Sequence, residues 1–125
     1  MSKKPKVVAV IDDDLSVRRS AGRLLSLLGY SPELYASAEE FFDAAMATEA
    51  ICLILDIELG GSSGIELAQR LRDAGCTIPV IFMTGDCDNE SYKRLALEIG
   101  CVAFFYKPFS ADALIEALLN IPRRP

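Results

Sequence analysis

The segment Ile51-Cys52-Leu53-Ile54-Leu55-Asp56 carries the strongest structural signal in the chain. Its five apolar residues lead without alternation into a single carboxylate. An uninterrupted apolar run of this length is typical of a strand buried on both faces, as in the interior of a parallel sheet. Gly60 and Gly61 follow closely, and a loop of this kind exposes the carboxyl end of the strand. Because ligands bind at that edge of open parallel sheets, we expect Asp56 to lie at the mouth of a functional site.

Similar strand segments alternate with helical segments along the whole chain. Apolar residues at helical spacing separate the strands, and Gly29, Gly75 and Gly100 are placed as helix stop signals. The other predicted strands are Lys6–Ile11, Ser31–Tyr35, Pro79–Met83 and Val102–Tyr106. Such alternation produces a parallel sheet with right-handed crossovers and helices on both faces.

The pattern therefore predicts an α/β protein of the flavodoxin-like (βα)5 kind, a five-stranded parallel sheet with strand order 2-1-3-4-5. We expect one domain over residues 1–125, with a core of about residues 5–121 and no output domain in this chain.

Composition narrows the classes of function. Hydrophobic residues make up 51% and charged residues 25% of the chain, a balance typical of a folded globular domain. The net charge of -5 argues against direct nucleic-acid binding, which would need a basic face. No apolar run has the length of a membrane span, so we expect a cytoplasmic protein without membrane contact.

The cysteine and histidine content limits the available chemistry. Cys52, Cys76, Cys87 and Cys101 are irregularly spaced and no histidine is present, which predicts reduced, space-filling thiols rather than a zinc site. Without histidine, any catalysis must rest on carboxylates, lysine, hydroxyls or a metal ion.

Polar side chains end four of the predicted strands. In the order 2-1-3-4-5 these strands are neighbours, so their tips converge on one pocket. The residues concerned are Asp12 and Asp13, Asp56, Thr84, and Lys107. Crowded carboxylates call for a compensating cation, and hard oxygen ligands suit Mg²⁺ or Mn²⁺. Lysine and threonine could hold phosphate oxygens, so the set predicts phosphoryl transfer onto a carboxylate.

Each element alone has a simpler interpretation. An Asp-Asp pair after a strand is usually a turn or helix cap, Thr84-Gly85 is a turn, and Lys107-Pro108 is a solvated strand end. One polar element on each of four adjacent strands, all at the same sheet edge, favours the functional interpretation.

These residues also form the motifs of a known family. The sequence resembles the receiver domain of bacterial response regulators over roughly residues 5–121, and it is most similar in appearance to receivers of nitrogen-fixation and LuxR-type regulators. The motifs that carry the resemblance are Val10-Ile11-Asp12-Asp13-Asp14, Leu55-Asp56 with Ser63-Gly64-Ile65-Glu66-Leu67, Met83-Thr84-Gly85, and Phe105-Tyr106-Lys107-Pro108-Phe109.

The resemblance implies a signalling switch, rather than an enzyme, that is phosphorylated on Asp56 by the phosphohistidine of a cognate histidine kinase. It implies that Asp13 and Asp56 bind Mg²⁺ directly, that Asp12 acts through water, and that the Glu58 carbonyl completes the set. Thr84 and Phe104 would switch the surface of helix four (predicted around Tyr92–Ile99), strand five (Val102–Tyr106) and helix five, which follows Ser110. A homodimer or downstream partner would then bind through residues 87–120. The resemblance also implies a cis bond between Lys107 and Pro108.

The sequence departs from the family around the site. Gly60 stands where the family usually has proline, so Gly60→Pro is expected to stabilise the loop if Gly60 has a negative φ. Glu58 and Asp86 add negative charge at positions that, in the family, tune the lifetime of the phosphoryl group.

Three other functions remain to be weighed. A phosphohydrolase with an aspartate nucleophile would want a second aspartate at the position of Glu58, and a flavin carrier would want hydroxyls where strand one ends in aspartates. A binding module that works without phosphorylation would have lost the acid pair, Asp56 or Lys107, and all are present.

Overall fold

A computed structural model describes residues 5–45, 47–60, 62–85, 90–108 and 110–121. Within these ranges five strands alternate with five helices. The strands are β1 (Val7–Ile11), β2 (Ser31–Tyr35), β3 (Cys52–Asp56), β4 (Val80–Thr84) and β5 (Ala103–Tyr106). The helices are α1 (Leu15–Leu27), α2 (Ala38–Ala44), α3 (Gly64–Asp73), α4 (Glu90–Ile99) and α5 (Ala111–Leu119).

The strands form one parallel sheet in the order β2-β1-β3-β4-β5, which confirms the predicted topology. Every residue of β3 and β4 is buried, whereas the edge strands β2 and β5 are mostly half-buried. The unbroken apolar runs therefore mark the centre of the sheet, because strands covered by helices on both faces have no solvated side.

Two hydrophobic cores lie on opposite faces of the sheet. Successive side chains of a strand point to opposite faces, so Leu53 and Leu55 enter one core while Cys52 and Ile54 enter the other. The first core is covered by α2, α3 and α4, and the second by α1 and α5.

Four strands begin one residue later than predicted. They are β1, β3, β4 and β5, which begin at Val7, Cys52, Val80 and Ala103. Proline lacks the N–H that a ladder position uses, so Pro79 stands before β4, although its carbonyl accepts from Leu53 N at 2.9 Å. At the other end, Thr84 belongs to β4 because it pairs with Tyr106 of β5.

The helix stop signals act as predicted. Gly29, Gly75 and Gly100 have φ of 90°, 86° and 91°, in the left-handed region that favours glycine. Each is followed by a residue whose N–H reaches back to the last helical turn, as in the bond from Tyr30 N to Leu25 O at 2.9 Å. This is the Schellman arrangement, which satisfies carbonyls that the helix leaves without partners.

Three of the four cysteines lie in the described part of the chain, and all three are free: Cys52, Cys76 and Cys101. Burial raises the pKa of the Cys52 thiol to about 12, so this thiol stays protonated and fills space, as predicted. Cys87 lies outside the described residues. Among the described helices, none combines the length and apolar character that crossing a bilayer would require.

Candidate functional site

The carboxyl ends of β1, β3, β4 and β5 form one edge of the sheet. Asp12 directly follows β1, Asp56 is the last residue of β3, Thr84 is the last of β4, and Lys107 directly follows β5. Asp12, Asp56 and Thr84 are 0%, 3% and 0% exposed, which is unusual for such polar side chains. Buried polar groups need partners, so these side chains must bind one another or a ligand at this edge.

Lys107 joins two of the carboxylates. Its Nζ lies 2.8 Å from Asp12 Oδ2 and 2.9 Å from Asp56 Oδ2. Burial lowers the pKa of the Lys107 ammonium, but the two carboxylates outweigh that effect and raise it above its ordinary value. The ammonium therefore stays charged and binds one oxygen of Asp56. The bond between Lys107 and Pro108 is cis, as the resemblance implied.

Asp56 is a carboxylate in a desolvated position. Burial raises its pKa from the ordinary 3.8 to about 6, against the opposing effects of Lys107 and the Glu58 N–H, while the Asp12 charge raises it further. Its Oδ1 accepts from Glu58 N at 3.0 Å. Both oxygens of Asp56 are thus held in place. The carboxylate is ionised at neutral pH, but its surroundings favour the ionised form less than water does.

Asp12, Asp13 and Asp56 form an acidic cluster. Each offers a carboxylate oxygen, and these three oxygens lie within 4.8 Å of one another. Asp12 Oδ2 is buried, and its partner among the described residues is the Lys107 ammonium at 2.8 Å. One ammonium does not balance three carboxylates. The excess negative charge and the hard oxygen donors fit a divalent cation such as Mg²⁺ or Mn²⁺.

The β1–α1 turn holds Asp12 in position. Asp12 Oδ1 accepts from Asp14 N at 2.9 Å, and the Asp12 carbonyl accepts from Arg18 at 2.7 Å. The third aspartate of this run plays a different part, because Asp14 is the N-cap of α1 and accepts from Ser16 N at 2.8 Å. The cap interpretation is therefore right for Asp14, while Asp12 and Asp13 belong to the cluster.

The β3–α3 loop closes tightly over Asp56. Gly64 N donates to the Ile57 carbonyl at 2.7 Å, and Ser63 caps α3. A Cβ on Gly64 would lie 2.1 Å from the Asp56 carbonyl oxygen, which is backbone and cannot turn aside. Glycine is thus required at position 64 by this close approach, a constraint that the sequence pattern did not disclose.

The condition attached to the Gly60→Pro expectation is not met. Stabilisation by Gly60→Pro required a negative φ, and the φ of Gly60 is +74°. The proline ring holds φ near -65°, so proline cannot adopt the conformation of this loop. Here the chain turns through a left-handed residue beside Asp13, whose Oδ2 would lie 3.2 Å from a Cβ at Gly60.

Thr84 and Glu58 are joined by a hydrogen bond that sequence reasoning missed. Thr84 Oγ1 donates to Glu58 Oε1 at 3.1 Å. From the sequence, Glu58 is expected to contribute only a backbone carbonyl and a general negative charge. The one available signal is an acidic residue two positions after Asp56, which does not specify a partner on another strand.

Phe104 is half-buried on β5, at the edge of the core covered by α2, α3 and α4. Its ring meets that of Tyr106 edge to face, with centroids 5.4 Å apart. Tyr106, and not Phe104, is the residue paired with Thr84 across the strands. Asp86, which was expected to add charge beside the site, lies outside the described residues.

The sequence pattern of the response regulator receiver domain matches residues 8–119. The chain belongs to this family. It is therefore the receiver domain of a two-component response regulator, as the motifs predicted, and neither the phosphohydrolase nor the phosphorylation-independent module is favoured.

Named relatives of this receiver domain agree with that assignment. The chain is 33% identical over 118 residues to the response regulator protein TodT of Pseudomonas putida, a match that covers 94% of this chain and 52% of TodT. It is 37% identical over 111 residues to the transcriptional regulatory protein FixJ of Azorhizobium caulinodans, covering 89% and 52%. A transcriptional regulatory protein is thus among the relatives, and the chain spans about half the length of TodT and of FixJ.

A solved receiver structure has the same fold as this chain. The response regulator receiver protein from Burkholderia phymatum is 39% identical to this chain and superposes with a TM-score of 0.80, covering 93% of this chain and 94% of that one.

Proposed function

We propose that this receiver domain accepts a phosphoryl group on Asp56 from the phosphohistidine of a cognate histidine kinase. The observation that carries the proposal is the position of Asp56: buried at the sheet edge, bound by Lys107 at 2.9 Å and part of a three-carboxylate cluster. A carboxylate in such a place is difficult to explain as a structural group, because burial opposes its charge.

The proposed step is a displacement at phosphorus. A carboxylate oxygen of Asp56 forms a new O–P bond, the N–P bond of the phosphohistidine breaks, and its electron pair remains on the imidazole nitrogen. Lys107 and, after a shift of its hydroxyl, Thr84 would donate hydrogen bonds to the oxygens of the transferred group; the Lys107 bond to Asp56 supports this role. The same site would later hydrolyse the acyl phosphate, so we infer a self-resetting switch rather than an enzyme acting on many substrate molecules.

We assign a divalent cation, Mg²⁺ or Mn²⁺, to the acidic cluster. Asp13 and Asp56 would bind it directly, Asp12 through water, and the Glu58 carbonyl would complete the protein ligands. The excess of carboxylates over the one neighbouring ammonium supports this assignment. When bound, the cation neutralises charge that would otherwise repel an incoming phosphoryl group.

The output of the switch follows from Thr84 and Phe104. Phosphorylation would draw the Thr84 hydroxyl toward the phosphoryl oxygens and let Phe104 move inward, changing the surface of α4, β5 and α5. We propose that a second copy of the chain or a downstream partner binds there, within residues 87–120, of which 87–89 and 109 lie outside the described residues. The free cysteines suit a reducing compartment, so we place this function in the cytoplasm.

The acceptor can be tested by intact mass. With Mg²⁺ and acetyl phosphate, the wild-type chain should gain the mass of one phosphoryl group and Asp56→Asn should gain none. Asp13→Asn is the matched partner variant: it removes one carboxylate from the same cluster but keeps Asp56, so slow modification should persist. An equal mass gain in wild type and Asp56→Asn would refute Asp56 as the acceptor.

The switch surface can be tested separately by NMR. If phosphorylation leaves the amide chemical shifts of residues 90–108 and 110–120 unchanged, the proposed output surface is wrong even where the acceptor is right.

A further inference from the structure

Residue 58 contacts both the acceptor carboxylate and the switch threonine. Its N–H donates to Asp56 Oδ1 at 3.0 Å, and its carboxylate accepts from Thr84 Oγ1 at 3.1 Å. Residues 58 and 84 lie on different elements, the β3–α3 loop and the end of β4. The side-chain bond therefore ties the loop above Asp56 to the neighbouring strand.

We propose that the Glu58 side chain is a latch that holds Thr84 in the unphosphorylated position and must release it when Asp56 is phosphorylated. This inference rests on the proposed acceptor role of Asp56. It assigns the carboxylate of Glu58 a positioning role in the switch, separate from the backbone carbonyl that is proposed to bind the cation.

The stoichiometry of the hydroxyl makes the two states exclusive. A threonine hydroxyl has one proton to donate, so Thr84 Oγ1 can donate to Glu58 or to a phosphoryl oxygen, but not to both. Breaking the bond to Glu58 therefore costs free energy, and this cost weakens the binding of Thr84 to the phosphoryl group.

Charge adds a second reason for release. A phosphoryl group on Asp56 places new negative charge beside the residue whose N–H binds Asp56. Residue Glu58 is exposed, so its side chain can rotate into solvent, whereas Thr84 is 0% exposed and stays at the site. Repulsion therefore moves the glutamate and leaves the threonine with the phosphoryl oxygens.

The latch can be measured with beryllofluoride, which imitates a phosphoryl group on a carboxylate. We would titrate beryllofluoride in the presence of Mg²⁺ and follow amide chemical shifts in four proteins: wild type, Glu58→Ala, Thr84→Val, and the double variant. Having to break the Thr84–Glu58 bond should weaken the binding of beryllofluoride to wild type by about tenfold, which is about 1.4 kcal/mol. We expect Glu58→Ala to tighten binding about tenfold when Thr84 is present.

The Thr84→Val variant separates the effect of the hydrogen bond from the effect of removing the Glu58 charge. Without the hydroxyl there is no latch to break, so Glu58→Ala should change affinity there by no more than about twofold, the part due to charge alone. Glu58→Gln is the matched control, since it loses the charge but keeps an oxygen that can accept from Thr84. Its effect in the threonine background should fall clearly short of the alanine effect.

The outcomes distinguish the two proposals. If Glu58→Ala changes beryllofluoride affinity equally in the threonine and valine backgrounds, the latch is overturned and Asp56 stays the acceptor. The same follows if Glu58→Ala and Glu58→Gln change the affinity equally when Thr84 is present. Failure of wild type to bind beryllofluoride would overturn the proposed acceptor role and the latch with it. A larger factor in the threonine background than in the valine background would support the latch.

Discussion

Glycines occur in the connections at both ends of the sheet, but the two ends require glycine for different reasons. At the amino end, helices α1, α3 and α4 finish in turns through Gly29, Gly75 and Gly100, and a Cβ at any of these would meet nothing within 4 Å. At the carboxyl end, a Cβ on Gly64 would enter the Asp56 backbone. The amino end requires only a backbone conformation. The carboxyl end also requires close packing around charged groups, and it is there that the candidate site lies.

The sharpest test of this contrast is a pair of alanine substitutions. Gly64→Ala should lower the free energy of unfolding by about 3 kcal/mol, because the new methyl group forces the backbone of the β3–α3 loop to move. Gly75→Ala should cost only about 1–2 kcal/mol, the penalty of a left-handed alanine in open space. Urea unfolding followed by circular dichroism gives both values. If the two variants lose equal stability, the close approach at Gly64 is not a real constraint.

Divalent cations should act at the carboxyl end alone. A ligand at 100 times its Kd stabilises the folded state by about 2.7 kcal/mol, so Mg²⁺ at that excess should raise the unfolding midpoint. Asp13→Ala should abolish the effect, while Gly75→Ala should retain it in full. Calorimetry with and without Mg²⁺ provides the measurement. A midpoint that does not respond to Mg²⁺ in wild type would show that the acidic cluster holds no such ion.

The burial of Asp56 should make stability depend on pH. Its folded pKa is raised from 3.8 to about 6, so the folded state favours the protonated form, and stability is lost as pH rises between these values. Because tenfold in proton affinity is about 1.4 kcal/mol, Asp56→Asn should be more stable than wild type by on the order of 3 kcal/mol near pH 8. The difference should shrink as pH falls and level off below about pH 3, where Asp56 is protonated in the folded and the unfolded state alike.

Unfolding of both proteins at the two pH values, without divalent cations, makes the comparison. Residues that titrate alike in the two proteins cancel from the difference. A stability gap that is the same at both pH values would mean that the Asp56 carboxylate is not destabilised by its surroundings.

The smallest expected effect concerns Gly60. Gly60→Pro should lower the free energy of unfolding by more than about 1 kcal/mol, since proline cannot reach a positive φ. Gly60→Asn, a residue that tolerates the left-handed region, should be better tolerated. Thermal unfolding of the two variants decides the point, and a stabilising proline would contradict the φ of +74°.

Local patterns predicted most of the architecture correctly. Unbroken apolar runs marked the central strands, because a strand covered on both faces needs no polar positions. Gly29, Gly75 and Gly100 marked helix ends, because the left-handed turn is a requirement of the local backbone. Ser37 and Ser110 cap α2 and α5, a position at which serine is favoured because its hydroxyl accepts from the first helical turn.

The sequence predicted which residues form the candidate site, but not all of the contacts between them. The strand order brings Asp12, Asp56 and Lys107 together as expected, and the ammonium contacts both carboxylates. The bond from Thr84 to Glu58 was not predicted, nor was the contact that excludes a side chain at Gly64. Both depend on how loops pack after the sheet has formed.

The order of residues along the chain is enough to specify the alternation of strands and helices, and hence which polar residues stand at the ends of neighbouring strands. These features follow from hydrophobic period and backbone propensity, which act over a few residues. Only the folded molecule places Lys107 on Asp56, 51 residues away, brings Thr84 to Glu58, 26 residues away, and turns Gly60 through a positive φ. Such contacts are set by the relative positions of distant elements to within an ångström, and no local pattern of residues specifies distances of that kind.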